Sequence, residues 1–86
     1  HSKQLLLIIT DKEQQVINYI IEDLHRGVTS LLAEGEYTHD RKKMLYCLVT
    51  TRQMIELKNT IHYIDPNAFI TIMDVSEVKG KGFKNI

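Results

Sequence analysis

Four kinds of side chain in this sequence could do chemistry: one thiol, a few histidines, scattered carboxylates and a lysine–glycine tail. Cys47 lies inside the apolar run Met44-Leu45-Tyr46-Cys47-Leu48-Val49. A thiol in such surroundings has a raised pKa and is inert, and with no Cys-x-x-Cys partner it cannot pass a metal on. His25, His39 and His62 show neither the i, i+4 pairing nor the cysteine partner of a metal motif. His25 and His62 fall near expected helix C-termini, where the helix dipole favours a cation; His39 falls in a turn. Of the isolated acids, Asp65 precedes Pro66 and is a turn former, Asp74 terminates a strand, and Asp40 lies in a polar turn. No G-x-S-x-G elbow is present. We therefore expect no catalytic residue, metal or cofactor. Lys79-Gly80-Lys81-Gly82 lacks the spacing of a phosphate loop, yet its lysines could still attract an anion or an acidic membrane surface.

Six elements would have to position these groups. Residues 3–9 hold a short aliphatic run and form a first strand. Thr10 and Glu13 have capping-box spacing, which predicts a helix to about His25 with Val16, Ile17, Ile20, Ile21 and Leu24 on one stripe, stopped by Gly27 as a left-handed cap. Residues 28–37 form a second strand, Thr38-His39-Asp40-Arg41 a turn, and residues 43–50 a third strand. Thr50 and Gln53 repeat the capping box ahead of a second helix whose stripe is Met54, Leu57, Ile61 and Ile64, ended by Asp65-Pro66-Asn67. Residues 68–75 form a fourth strand.

The order βαββαβ is the ferredoxin-like split βαβ pattern, an α+β sandwich. Right-handed crossovers put both helices on one face of a four-stranded antiparallel sheet of order 4-1-3-2. The apolar first and third strands suit its centre. The second and fourth, broken by Ser30, Glu34, Thr71 and Asp74, suit its edges. One feature conflicts with a wet second face. Leu5, Leu7 and Ile9 point away from Leu6 and Ile8, and Met44, Tyr46 and Leu48 point away from Leu45, Cys47 and Val49. A half-solvated sheet should alternate, so we expect the non-helical face, including Tyr46, to be covered in a homo-oligomer.

The chain has 86 residues, enough for one domain. We read residues 1–2 as a tag remnant, 3–78 as the domain and 79–86 as a flexible tail. Eleven basic and eleven acidic residues cancel. With Tyr46 the only aromatic on the central strands, no nucleic-acid partner is expected. No apolar run approaches the roughly 18 residues of a membrane-spanning helix.

Four segments occur in a fixed order: Arg26-Gly27-Val28-Thr29, Gly35-x-Tyr37-Thr38, Asp65-Pro66-x-Ala68-Phe69 and Asp74-Val75-x-x-Val78-x-Gly80-x-Gly82-Phe83. Together they resemble the C-terminal domain of unknown function of YitT-type bacterial membrane proteins, over residues 5–83. In that family the second-strand end and turn are richer in glycine; here Glu36 and His39 stand in their place. The resemblance implies that a multi-pass membrane region precedes the domain, that the domain lies on the cytoplasmic side, and that it has no known enzyme activity or ligand.

We therefore expect a non-catalytic regulatory or ligand-sensing domain that acts through oligomerisation. Its partners would be further copies of itself, the membrane region of its own full-length chain and an anionic small molecule. The ligand candidates outside the aliphatic stripes are Tyr37, Thr38 and His39 in the turn and Gly80, Lys81, Gly82 and Phe83 in the tail. The alternative is a purely structural assembly module without a ligand.

Overall fold

The aliphatic run centred on Leu6 and Ile8 forms β1 (Lys3–Ile9) of a sheet ordered β2-β3-β1-β4. The structure, a computed structural model, describes residues 3–81. The other strands are β2 (Thr29–Glu34), β3 (Arg41–Thr50) and β4 (Phe69–Val75), and every pairing is antiparallel. Order 2-3-1-4 is the expected 4-1-3-2 counted from the other edge. β1 pairs Leu6 with Cys47 and Ile72, and Ile8 with Leu45 and Ile70, so these side chains share one face. That face carries the core. Leu6, Ile8, Leu45, Cys47 and Val49 meet Val16, Ile20 and Leu24 from the first helix, and Leu57 and Ile61 from the second.

The second helix, α2 (Thr51–Ile64), forms as its sequence predicts. The Thr50 hydroxyl accepts from the Gln53 backbone N–H at 3.1 Å, and the Gln53 side chain accepts from the Thr50 N–H at 3.0 Å. Leu57 and Ile61 are fully buried, with Met54 and Ile64 packed beside them.

The first helix departs from expectation. α1 spans only Glu13–Asn18 and continues as a π-helical segment over Tyr19–Asp23. The expected Thr10–Glu13 box does not form, because Thr10 is used elsewhere. Its hydroxyl donates to the Asp65 carboxylate at 2.6 Å and accepts from the Lys12 N–H at 3.0 Å. The π segment closes wider turns, with the Leu24 N–H bonded to the Tyr19 carbonyl at 3.2 Å. The wider turns rotate the stripe, so Ile20 and Leu24 stay buried while Ile21 is exposed. The left-handed stop falls at His25, φ 56°, not at Gly27. The Tyr19 hydroxyl donates to Glu56, tying the π segment to α2.

β2 ends three residues earlier and β3 starts two residues earlier than expected. The cause is a tight hairpin, in which the Gly35 N–H bonds the Asp40 carbonyl at 2.9 Å and the His39 N–H bonds the Gly35 carbonyl at 2.6 Å. Arg41 and Lys42 are thereby brought into register with Glu34 and Ala33.

The open face carries Leu5, Leu7 and Ile9 from β1, Met44, Tyr46 and Leu48 from β3, Leu31 from β2, and Phe69 and Met73 from β4. No described element lies over it as the helices lie over the other.

Two outcomes follow for stability. Thr50→Ala should cost about 1 kcal/mol in urea unfolding, while Glu13→Ala, at a box that does not form, should cost less. Asp65 accepts bonds from Thr10, Asn67 and Asp11, which hold its carboxyl below the usual carboxylate range. Its stabilisation is present above the unfolded pKa of about 3.9 and is lost as pH falls through the lower folded value. Asp65→Asn should therefore show a flatter acid limb in a plot of urea midpoint against pH.

Candidate functional site

Residues following β4 pass from that edge of the sheet toward the opposite one. They meet the β2 start and the β3 end in a cleft of about 340 Å³. Its walls are Arg26, Gly27 and Thr29 on one side, Tyr46 and Leu48 beneath, and Val78, Lys79, Gly80 and Lys81 on the other. Arg26 is only 8% exposed. Its Nε donates to the Leu48 carbonyl at 3.1 Å, which fixes the guanidinium against β3. Burial pulls its pKa down, yet a guanidinium keeps its charge at any physiological pH. Gly80 has φ 141°, a conformation side-chain-bearing residues rarely adopt. Among the described residues the lining includes three cationic ones, Arg26, Lys79 and Lys81, and no acidic one.

Of the residues expected to bind a ligand, Gly80 and Lys81 line this cleft; Gly82 and Phe83 lie outside the described residues. Tyr37, Thr38 and His39 sit in the β2–β3 hairpin, at the opposite end of that ladder, so the turn and the described tail do not meet within one chain. Tyr37 projects almost fully into solvent. His39 Nδ1 lies 3.0 Å from Glu34 Oε2. Thr38 lines a smaller hollow with Glu34, Asp40 and Lys42, which is not a cationic setting. Tyr46 is 37% exposed on the open face and also floors the cleft. Arg26, Gly27, Thr29, Leu48 and Val78 were not among the sequence candidates. Arg26-Gly27 stood out only as a motif, and nothing in one dimension says that residues 26 and 80 meet.

The carboxylates weighed as acid–base candidates are spread out and engaged. Asp74 accepts from the Gln4 side chain at 2.6 Å and Asp65 closes the junction with Thr10, while Asp40 serves the hairpin through its backbone, its carbonyl accepting from the Gly35 N–H. Among the described residues no three of His, Cys, Asp or Glu gather to hold a metal ion. None of the described helices is long and apolar enough to cross a membrane.

Residues 26–80 match the family described as "Uncharacterized protein conserved in bacteria (DUF2179)". The chain belongs to the DUF2179 family. This DUF2179 domain is 41% identical over 76 residues to the UPF0750 membrane protein YpjC of Bacillus subtilis, covering 88% of this chain and 26% of YpjC. It is 28% identical over 80 residues to the UPF0750 membrane protein YitT of the same organism, covering 93% of this chain and 29% of YitT. The chain thus spans only about a quarter of these relatives, and the resemblance to one part of YitT-type proteins holds. The crystal structure of a DUF2179 protein from Eubacterium ventriosum superposes with a TM-score of 0.73 at 22% identity, over 85% of this chain and all of that one. That likeness supports the same α+β fold.

Beside the cleft, Cys47 points into the core, and its Sγ donates to the Gly27 carbonyl at 3.6 Å. Burial pushes its thiol up to about 11. The folded state therefore keeps a proton that the unfolded thiol loses near pH 8.5. This stabilisation is complete below that pH and falls as pH rises toward about 11, by at most about 1.4 kcal/mol per pH unit. Urea midpoints of Cys47→Ala should decline less over that window than those of the parent. At pH 8 a thiol reagent should label Cys47 only when urea unfolds the domain.

Proposed function

We propose that this DUF2179 domain is a non-catalytic regulatory module of a bacterial membrane protein, acting through contact between copies of itself. The observation that supports this reading is the open sheet face. Its central rows, Leu5–Leu48–Met73 and Leu7–Tyr46–Thr71, are largely apolar, and Phe69 is 66% exposed at the edge of the same face. A solvated sheet face would alternate with polar residues, and contiguous exposed apolar surface marks an interaction site. The strands put charge on this face only near its ends, at Lys3 and Lys42, and the cationic cleft occupies one end over Tyr46 and Leu48, so the apolar rows in the middle offer little to select a charged partner. A second copy brings the same apolar surface and matches it by symmetry. The similarity to membrane proteins of which this chain covers a small share supports a place beside a membrane region, and we place the domain on its cytoplasmic side. Contact between domains would then bring the membrane parts of separate chains together. The charge-lined cleft favours regulation over assembly alone, since a purely structural module has no need of one.

Sedimentation of the domain should show a self-associated species, and its melting temperature should rise with protein concentration. Leu31→Glu with Met73→Glu, at two exposed positions of the face, should give a folded monomer with a cooperative melt. A parent domain that sediments as a monomer at its highest attainable concentration would remove the assembly reading.

A further inference from the structure

We infer that the cleft between Arg26 and residues 79–81 is a binding site for a phosphate group carried by a small molecule or a lipid headgroup. The inference rests on the regulatory reading above and gives it a ligand class and a place. Three observations carry it. The first is charge: Arg26, Lys79 and Lys81 line one cleft, with no acid among its described lining residues. Among the described residues the ion pairs at side chains are Glu34 with His39 and with Arg41, and Asp11 with Lys42. Lys79 and Lys81 therefore have no carboxylate partner there. Two other hollows each include Glu34 and suit an anion less.

The second is construction. Arg26 is 8% exposed and anchored through Nε to the Leu48 carbonyl, so its charge is held in place by the fold. A guanidinium fixed in this way is suited to a tetrahedral oxyanion, while lysines supply adjustable point charges. Gly80, at φ 141°, leaves bare backbone between the two lysines, and a Cβ is absent where an anion would approach the chain.

The third is size and lining. A cleft of about 340 Å³ falls within the range of small-molecule sites. The Tyr46 ring, Leu48 and Val78 give the charged end an apolar neighbour on which the rest of the ligand can lie. Tyr46 and Leu48 also belong to the open face. Whatever fills the cleft therefore touches the surface through which copies meet, and occupancy can bias subunit packing by its differential contacts with the two states.

The experiment is titration calorimetry of the domain with inorganic pyrophosphate and with ADP, together with sedimentation on vesicles of phosphatidylglycerol. Three proteins are compared: the parent, Lys79→Glu/Lys81→Glu, and Lys43→Glu/Lys58→Glu. The last pair carries the same charge change at exposed residues outside the cleft. The expected result is binding by the parent and the Lys43/Lys58 control. Binding by the Lys79/Lys81 variant should be weaker by about tenfold or more, the worth of a charge-assisted hydrogen bond. Dependence on Lys79 and Lys81 in the soluble arm assigns the site to a phosphorylated small molecule; in the vesicle arm alone, to a lipid headgroup. No binding in any arm overturns the inference, as does equal weakening in both variants, which would report net charge only. Oligomeric state is measured on the same samples with and without pyrophosphate. Specific binding to a protein that stays monomeric leaves the site standing and removes the regulatory reading; an oligomer that binds nothing does the reverse.

Discussion

A four-stranded sheet has two faces, and two helices cover only one of them. Most of the structure depends on that inequality. The helix side is closed by ten buried residues gathered in one cluster. The other side is built from central strands that are apolar throughout residues 5–9 and 44–49. Removing apolar area from water is worth about 25 cal/mol per Å², so leaving the open face bare forgoes stabilisation that a partner surface would supply. This supports the proposed reading of the domain as one that meets another surface, as does its covering about a quarter of its relatives' length.

The period-two geometry of β3 connects this face to the cleft. Cys47 turns inward against the helices, where burial keeps its thiol protonated. Tyr46 and Leu48, its neighbours on either side, turn outward. The Leu48 carbonyl, an end group of a central strand, receives Arg26. A single strand thus supplies core packing, an exposed aromatic on the open face and the anchor of a buried cation. The chain after β4 completes the arrangement by crossing the end of the sheet from one edge to the other, and so brings Lys79 and Lys81 to the side where Arg26 is held.

Thr10 and Asp65 show how tertiary demand redirects a local signal. Both threonine boxes have the same spacing, but only Thr50 is free to cap. Thr10 faces the carboxylate that ends the other crossover, and its hydroxyl goes there instead. The helix that follows begins without a side-chain cap and widens into a π segment. That widening moves Ile21 to the surface and places the left-handed residue at His25.

The sequence by itself determined the element order, the sheet topology, α2 with its cap, and the two-sided apolar character of β1 and β3. These follow from signals within a few residues: aliphatic runs, period-two alternation, Thr50 with Gln53, and Asp65 before Pro66. It also singled out Gly80, Lys81 and Tyr46. Only the tertiary structure decided which of those candidates share a site. The hairpin of Tyr37, Thr38 and His39 lies at one end of the sheet and residues 79–81 at the other, because antiparallel register sends the β2–β3 turn away from the end where β4 finishes. Arg26 entered the site for the same reason. It is far from Lys79 along the chain, and no propensity or spacing rule encodes a contact made by a chain crossing the end of a folded sheet.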